Sequence, residues 1–208
     1  MIKCTVSSDD ELLLAWRAGD QRAGSELFKR HYGAIRRFFA NKVDDSLEDL
    51  VQRTFEACVA GQERFEGRGS ISAYLRGTAR NLLYQHWEAR RARGASVPIE
   101  DVSLHDLGAG PSSMLARTHA ERRLLEALRQ VSLADQEILE LYYWEELTGV
   151  ELAEQLGVPE QTARSRLRRA RLHLAKVYRR LERFAGAPES SDAQLDNNAR
   201  GLGRRASQ

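Results

Sequence analysis

The chain has 208 residues, 42% of them hydrophobic and 30% charged, with a formal net charge of +2. That length suits one domain or two small ones, and a mean hydropathy of −0.53 points to a soluble protein. No apolar run approaches the ~18 residues of a membrane span, the N-terminus lacks a signal peptide's basic start and apolar core, and Cys4 and Cys58 are too far apart to form a CxxC pair. A disulfide framework and a zinc site are thereby disfavoured, and a reducing, cytoplasmic location is expected.

Helical signals dominate in chain order. Ser8-Asp9-Asp10-Glu11 reads as a capping box that opens a short helix ended by Gly19. Asp20 can cap the next segment, where Leu27, Phe28, Ile35, Phe38 and Phe39 recur at roughly helical spacing. Ser46 to Asp49 starts a third helix with Leu47, Leu50, Val51, Phe55, Cys58 and Val59 on one broad stripe. After a break at Phe65–Ser70, a fourth helix carries Ile71, Tyr74, Leu75, Thr78 and Leu82 and ends in the basic run EARRAR. Four amphipathic helices without β patterning predict an all-α domain.

Between Gly94 and Ser113 the helical periodicity fades and Gly, Pro, Ser and Asp accumulate, which predicts a linker. A second helical block is expected from about Met114 to Phe184. The remaining segment, 185–208, is expected to be disordered because it lacks core-forming residues. The fold class expected is therefore all-α, with two small helical domains joined by a flexible linker.

The charges are unevenly distributed. Glu121–Glu160 holds ten acidic and three basic residues, whereas Arg164–Arg183 holds nine basic residues and one acid, Glu182. The basic stripe follows Thr148-Gly149-Val150-Glu151, a second capping box, then Gly157 as a left-handed stop and Pro159 as a helix start. Helix, short turn and helix in this order make a helix-turn-helix. In its second helix Ala163, Leu167, Ala170, Leu174, Val177 and Leu181 form an inner seam at spacings of four and three. Arg164, Arg168 and Arg171 share another face, with Ser165 and Arg169 beside them. Such a face suits the major groove, because a guanidinium can hold guanine O6 and N7 together.

No catalytic constellation is present. His31, His86, His105, His119 and His173 are scattered outside any HExxH or paired-cysteine context, and there is no phosphate-binding glycine loop. The residues predict neither an enzyme nor a bound cofactor or metal.

Three motifs in order, LEDLVQRTFEA (Leu47–Ala57), FEGRGSISAYLRGTARNLL (Phe65–Leu83) and LADQEILELYYWEELTGVELAEQLGVPEQTARSRLRRAR (Leu133–Arg171), resemble bacterial RNA polymerase sigma factors. The type most resembled is the extracytoplasmic-function group of the sigma-70 family. The resemblance implies that residues 8–93 form sigma region 2, 94–113 the linker and 114–184 sigma region 4. It also implies core polymerase and promoter DNA as partners, and an inhibitory anti-sigma factor that would clamp the two domains.

By the same resemblance, Asp49, Gln52, Arg53 and Glu56 are candidate contacts to the polymerase clamp. Phe65, Gly67, Arg68, Gly69 and Ser70 match the loop that captures a flipped-out base of the −10 element. Tyr74 stands where relatives commonly carry tryptophan, and Asn81 could hydrogen-bond promoter DNA. Arg76, Arg80, Arg90, Arg91 and Arg93 would line the DNA path, with Tyr84, His86 and Trp87 possible contacts to separated strands. The −35 readers map onto Arg164, Ser165, Arg168 and Arg169, with Thr162, Arg166 and Arg171 on phosphates. Gln161 and Ala163 replace the expected Gly and Val of the family's GTV pattern. The competing reading is a dimeric helix-turn-helix regulator of duplex operators, which has no need of the first two motifs; a nucleic-acid enzyme is a third, lacking a metal or nucleophile.

Overall fold

Most helix starts are built by a side chain that takes up otherwise unpaired amides. In the computed structural model, which describes residues 8–43, 45–61, 70–91, 97–107 and 118–206, Ser8 Oγ accepts from Glu11 N at 3.2 Å. The Glu11 carboxylate in turn accepts from Ser8 N at 2.9 Å. This capping box opens α1, Asp9–Arg17. Asp20 Oδ1 accepts from Arg22 N and Ala23 N and opens α2, Gln21–Ala40. Ser46 begins α3, Leu47–Ala60, without a side-chain cap, and Ser70 caps α4, Ile71–Arg90. Leu27, Phe39, Leu50, Leu75 and Leu83 from these helices are buried to 0–1% exposure in the first core.

The second unit contains α5 (His119–Gln130), α6 (Leu133–Tyr143), α7 (Gly149–Leu156) and α8 (Glu160–Phe184). Leu124, Leu139, Leu152, Leu174 and Tyr178 fill its core. Among the described residues the regular structure is helical, apart from one isolated bridge between Ser103 and Ser132.

Two segments depart from expectation. The linker is packed where it is described. Ile99, in a short 3-10 turn at Ile99–Asp101, and Leu104 are buried in the first core. Leu133 N donates to Val102 O at 3.0 Å and His105 N to Arg129 O at 2.9 Å, which ties the linker to the second unit.

The tail carries a helix over most of its length, so the expectation of disorder is corrected there. α9, Asp192–Ala206, buries Leu195, Ala199 and Leu202 in the second core. Gly203 lies so close to the Trp144 indole that a Cβ would collide with it. Composition hid this helix, but its pattern was present. Ser191 and Gln194 form reciprocal amide bonds of 2.8 and 3.3 Å, and the apolar residues follow at spacings of four and three. Glu182, 1% exposed, fixes the reversal by accepting from both the amide and hydroxyl of Ser190.

The two units are locked by charge as well as by apolar packing. Lys42 Nζ, at the end of α2, lies 2.5 Å from Glu140 Oε2 on α6, and the two side chains are 1% and 3% exposed. Asn41 Nδ2 donates to the other carboxylate oxygen at 3.0 Å, and Lys42 Nζ also donates to Phe38 O at 2.8 Å. Burial pushes the Lys42 pKa down and that of Glu140 up, while each charge opposes the shift of its partner. Both carboxylate oxygens and two of the three ammonium donors thus have partners, the kind of support under which a buried ion pair is tolerated.

Cys58 is 1% exposed, with its Sγ 3.9 Å from Thr78 Oγ1, and burial pushes its thiol up to about 11. At pH 8 only about 0.1% would be thiolate, the nucleophilic form. In a Cys4→Ser background, iodoacetamide should therefore label Cys58 rapidly in urea and scarcely at all in buffer. Equal labelling rates would contradict this burial.

Candidate nucleic-acid and polymerase interface

The helix-turn-helix forms as its sequence signals require. Thr148 and Glu151 make the reciprocal capping bonds, and these hold the Glu151 carboxyl below its ordinary range. Gly157 ends α7 at φ 63° and ψ 37°, a left-handed conformation costly for residues with a Cβ. Pro159 stands at the N-cap of α8, where its missing amide hydrogen is not needed, and its carbonyl accepts from Ala163 N at 3.0 Å. Ala163, Ala170, Leu174 and Val177 are buried, and Leu167 and Leu181 pack at the edge of the same core.

Burying this seam turns the opposite face outward. Arg164, Ser165, Arg166, Arg168 and Arg169 are exposed, while Thr162 is half-buried with its carbonyl accepting from Ser165 Oγ at 3.0 Å. Arg164 rests on Glu160 one turn earlier, through contacts of 2.8 and 2.6 Å. Gln161 and Leu172, absent from the sequence prediction, join Arg164, Ser165, Arg168 and Arg169 around a shallow depression. Leu172 is 62% exposed; its position off the seam was the available signal.

Arg171 is turned elsewhere. Its Nη2 lies 2.7 Å from Asp196 Oδ2 on α9, and its Nε donates to the Tyr143 hydroxyl at 3.2 Å.

Residues expected on the −10 path fall into three groups. Phe65, Gly67, Arg68 and Gly69 lie outside the described residues, as does Arg93. Ser70 caps α4, Asn81 is exposed, and half-buried Tyr74 packs toward Gly61 at the end of α3. Arg76 and Arg80 point into the seam between the units. Arg76 is 4% exposed, its Nη2 is 3.4 Å from Glu145 Oε1, and its guanidinium lies 5.9 Å from the Phe38 ring centre. Arg37 shares Glu145 at 3.2 Å, and Arg80 lies 3.5 Å from Glu137 Oε2. Sequence reasoning did not identify these acidic partners because they come from the other unit.

Farther along α4, Trp87 is buried in the first core, with His86 edge-on against it. Burial and then Arg90 push His86 below its ordinary pKa. Tyr84 is half-buried, and burial together with Glu137 raises its phenol pKa. Arg90 is exposed, and Arg91 donates to Val97 O at 2.7 Å.

The candidate polymerase contacts line the outside of α3. Arg53 pairs with Asp49 at 3.5 Å and Gln52 donates to Glu56 at 2.7 Å. Beside them runs an apolar groove lined by Phe28, Tyr32, Val51, Phe55 and Val59. Tyr32 and Val59 are 43% and 50% exposed. The apolar stripe predicted on α3 is therefore wider than the core it packs against, and among the described residues its outer edge is exposed.

Among the described residues no cluster of His, Cys, Asp and Glu could hold a metal ion, and no helix is long and apolar enough to cross a membrane. The sequence matches the family profile "Sigma-70 region 2" over residues 27–93 and "Sigma-70, region 4" over residues 121–174. It is 28% identical over 174 residues to the "ECF RNA polymerase sigma factor SigM" of Mycobacterium tuberculosis, covering 82% of this chain and 84% of that protein. Among solved structures, the fold is similar to that of CnrH in complex with the cytosolic domain of CnrY. The TM-score is 0.59 at 21% identity, over 82% of this chain and 97% of that one. It is also similar to the sigma factor RpoE in complex with the anti-sigma factor NepR from Bartonella quintana, with a TM-score of 0.54 at 22% identity, over 74% and 94% of the two chains.

A duplex-only operator regulator is not favoured, since it would have no use for the region 2 match. The two profile matches follow in order and together cover more than half of the chain, which belongs to the sigma-70 family of RNA polymerase sigma factors, in its extracytoplasmic-function group, and directs promoter-specific transcription.

Proposed function

We propose that α3 and its apolar groove dock core RNA polymerase, that the Phe65–Ser70 segment with Asn81 engages the −10 element, and that α8 reads the −35 duplex. The observation that carries this reading is the exposed face of Arg164, Ser165, Arg166, Arg168 and Arg169, opposite a seam buried in the second core. Arg164, Ser165, Arg168 and Arg169 address base edges, while Thr162, Arg166 and Arg171 address phosphates, which supply affinity without sequence choice. Gln52 and Glu56 border the apolar groove, and Asp49 and Arg53 lie beside them on α3, a composition suited to a protein partner.

On this reading Arg76 and Arg80 reach DNA only after Glu145 and Glu137 release them. The two units must therefore separate when polymerase and promoter are bound. An anti-sigma factor is a further partner, covering the groove and the α8 face when polymerase is absent. The work is that of a cytoplasmic, non-catalytic subunit; polymerase makes the phosphodiester bonds.

Adding this chain to purified bacterial core polymerase should yield run-off transcripts from a subset of promoters in a library. Absence of product from every promoter of its own genome would overturn the reading.

A further inference from the structure

α9 lies beyond the segment matched by the region 4 profile, which ends at residue 174. Its placement bears directly on α8. Asp196 receives the Arg171 guanidinium at 2.7 Å, and the hydroxyl of Tyr143, itself 3% exposed, donates to the other carboxylate oxygen at 2.5 Å. One turn earlier on α9, Asp192 pairs with Arg179, and Glu189 lies 3.7 Å from that same arginine and 4.0 Å from Arg183. Glu189, Asp192 and Asp196 line one groove with Arg164 and Arg168. Buried Leu195, Ala199 and Leu202 hold these three acids against the basic helix.

A promoter phosphate and the Asp196 carboxylate make the same demand on Arg171, namely a charge-assisted pair with its planar fork. Both draw on the same guanidinium charge, so pairing with Asp196 weakens what Arg171 can offer a phosphate. The nearby acids also place negative charge in the groove that a phosphate backbone would approach.

We propose that α9 is a C-terminal clamp that competes with the promoter backbone for Arg171, so that docking of α9 lowers the affinity of α8 for duplex DNA. This rests on the reading of α8 as the duplex-binding helix. The rigid link at Glu182–Ser190 keeps the competing acids at high local concentration, so the clamp acts within one chain.

The test is binding of the full chain to a generic DNA duplex of about 30 bp across a salt series, because phosphate contacts are indifferent to sequence. Asp196→Asn should bind several-fold more tightly, and its log K against log salt slope should steepen by about 0.9, the signature of one added phosphate contact. Arg171→Ala should weaken binding more in the Asp196→Asn background, where it should abolish the gain, than in the parent, where Asp196 already holds the arginine. This dependence separates release of Arg171 from simple loss of a negative charge.

Thermal melting of each variant is measured in parallel. If Asp196→Asn unfolds, Asp192→Asn, at a side chain 74% exposed, should leave Arg179 paired with Glu189 alone and give a smaller gain. Arg164→Ala and Arg168→Ala serve as controls. If they leave duplex binding unchanged, the assignment of α8 falls; if they weaken it while neither aspartate variant changes affinity or slope, the clamp alone is refuted.

Discussion

Truncating either member of the Lys42–Glu140 pair is expected to destabilise the protein by about 3–5 kcal/mol, the range for a buried charge left without its counter-ion. In Glu140→Ala the Lys42 ammonium would retain Phe38 O at 2.8 Å, the Phe38 ring, whose centre is 4.5 Å away, and the weaker influence of the Glu137 charge. In Lys42→Ala the carboxylate would retain Asn41 Nδ2. Neither set replaces the hydration that the charge gave up. Replacing both residues, as Lys42→Met with Glu140→Leu, should come within about 1–2 kcal/mol of the parent or exceed it, because an apolar pair has no charge to strand.

Urea unfolding of the parent and the three variants measures these differences. The exposed Arg36–Glu48 pair, with side chains 43% and 62% accessible, is the comparison; its loss should cost under about 1 kcal/mol. A Glu140→Ala cost no larger than that would mean that the seam is solvated. Scattering should also report a larger radius for Glu140→Ala, since the pair joins α2 of one unit to α6 of the other.

The second large effect is expected at the −35 duplex. Arg164→Ala and Arg168→Ala should each weaken recognition of the preferred sequence by about 1–3 kcal/mol, the discrimination carried by a bidentate arginine–guanine contact. Both side chains are exposed, so folding should be little changed. Glu160 holds Arg164 only across a surface i,i+4 contact, which is weak enough to exchange for a base. Binding to core polymerase should be unaffected, because that docking is assigned to α3. Transcription across a promoter library reads both quantities, and unchanged promoter choice in the two variants would show that the wrong face has been assigned.

The two experiments differ in how readily the sequence announces them. The α8 face is local. The Thr148–Glu151 cap, the left-handed Gly157 and Pro159 each act within one or two helical turns, and the spacing of Ala163, Ala170, Leu174 and Val177 leaves the arginines outward. Capping bonds and helical periodicity depend on residues three to four apart, so a reader of the chain can find them. The same reasoning located α1 to α4, and it could have located α9 from Ser191, Gln194 and the run Leu195, Ala199 and Leu202. Composition argued for disorder there because the segment is polar apart from that narrow stripe, and the stripe is sufficient only because the second core has an open side to receive it.

By itself, then, the sequence determined the helices, their caps, the helix-turn-helix and the two-unit order. Those properties are set by hydrogen bonds and apolar spacing over a few residues. Tertiary structure alone decided that Arg76 and Arg80 would face Glu145 and Glu137, that Asp196 would hold Arg171, and that Phe28, Tyr32, Phe55 and Val59 would line one groove. Arg37 and Glu145 are 108 residues apart in the chain, and no local rule connects them. They meet because packing brings α2 and α6 to a common seam, where desolvation makes the choice of ionic partner decisive.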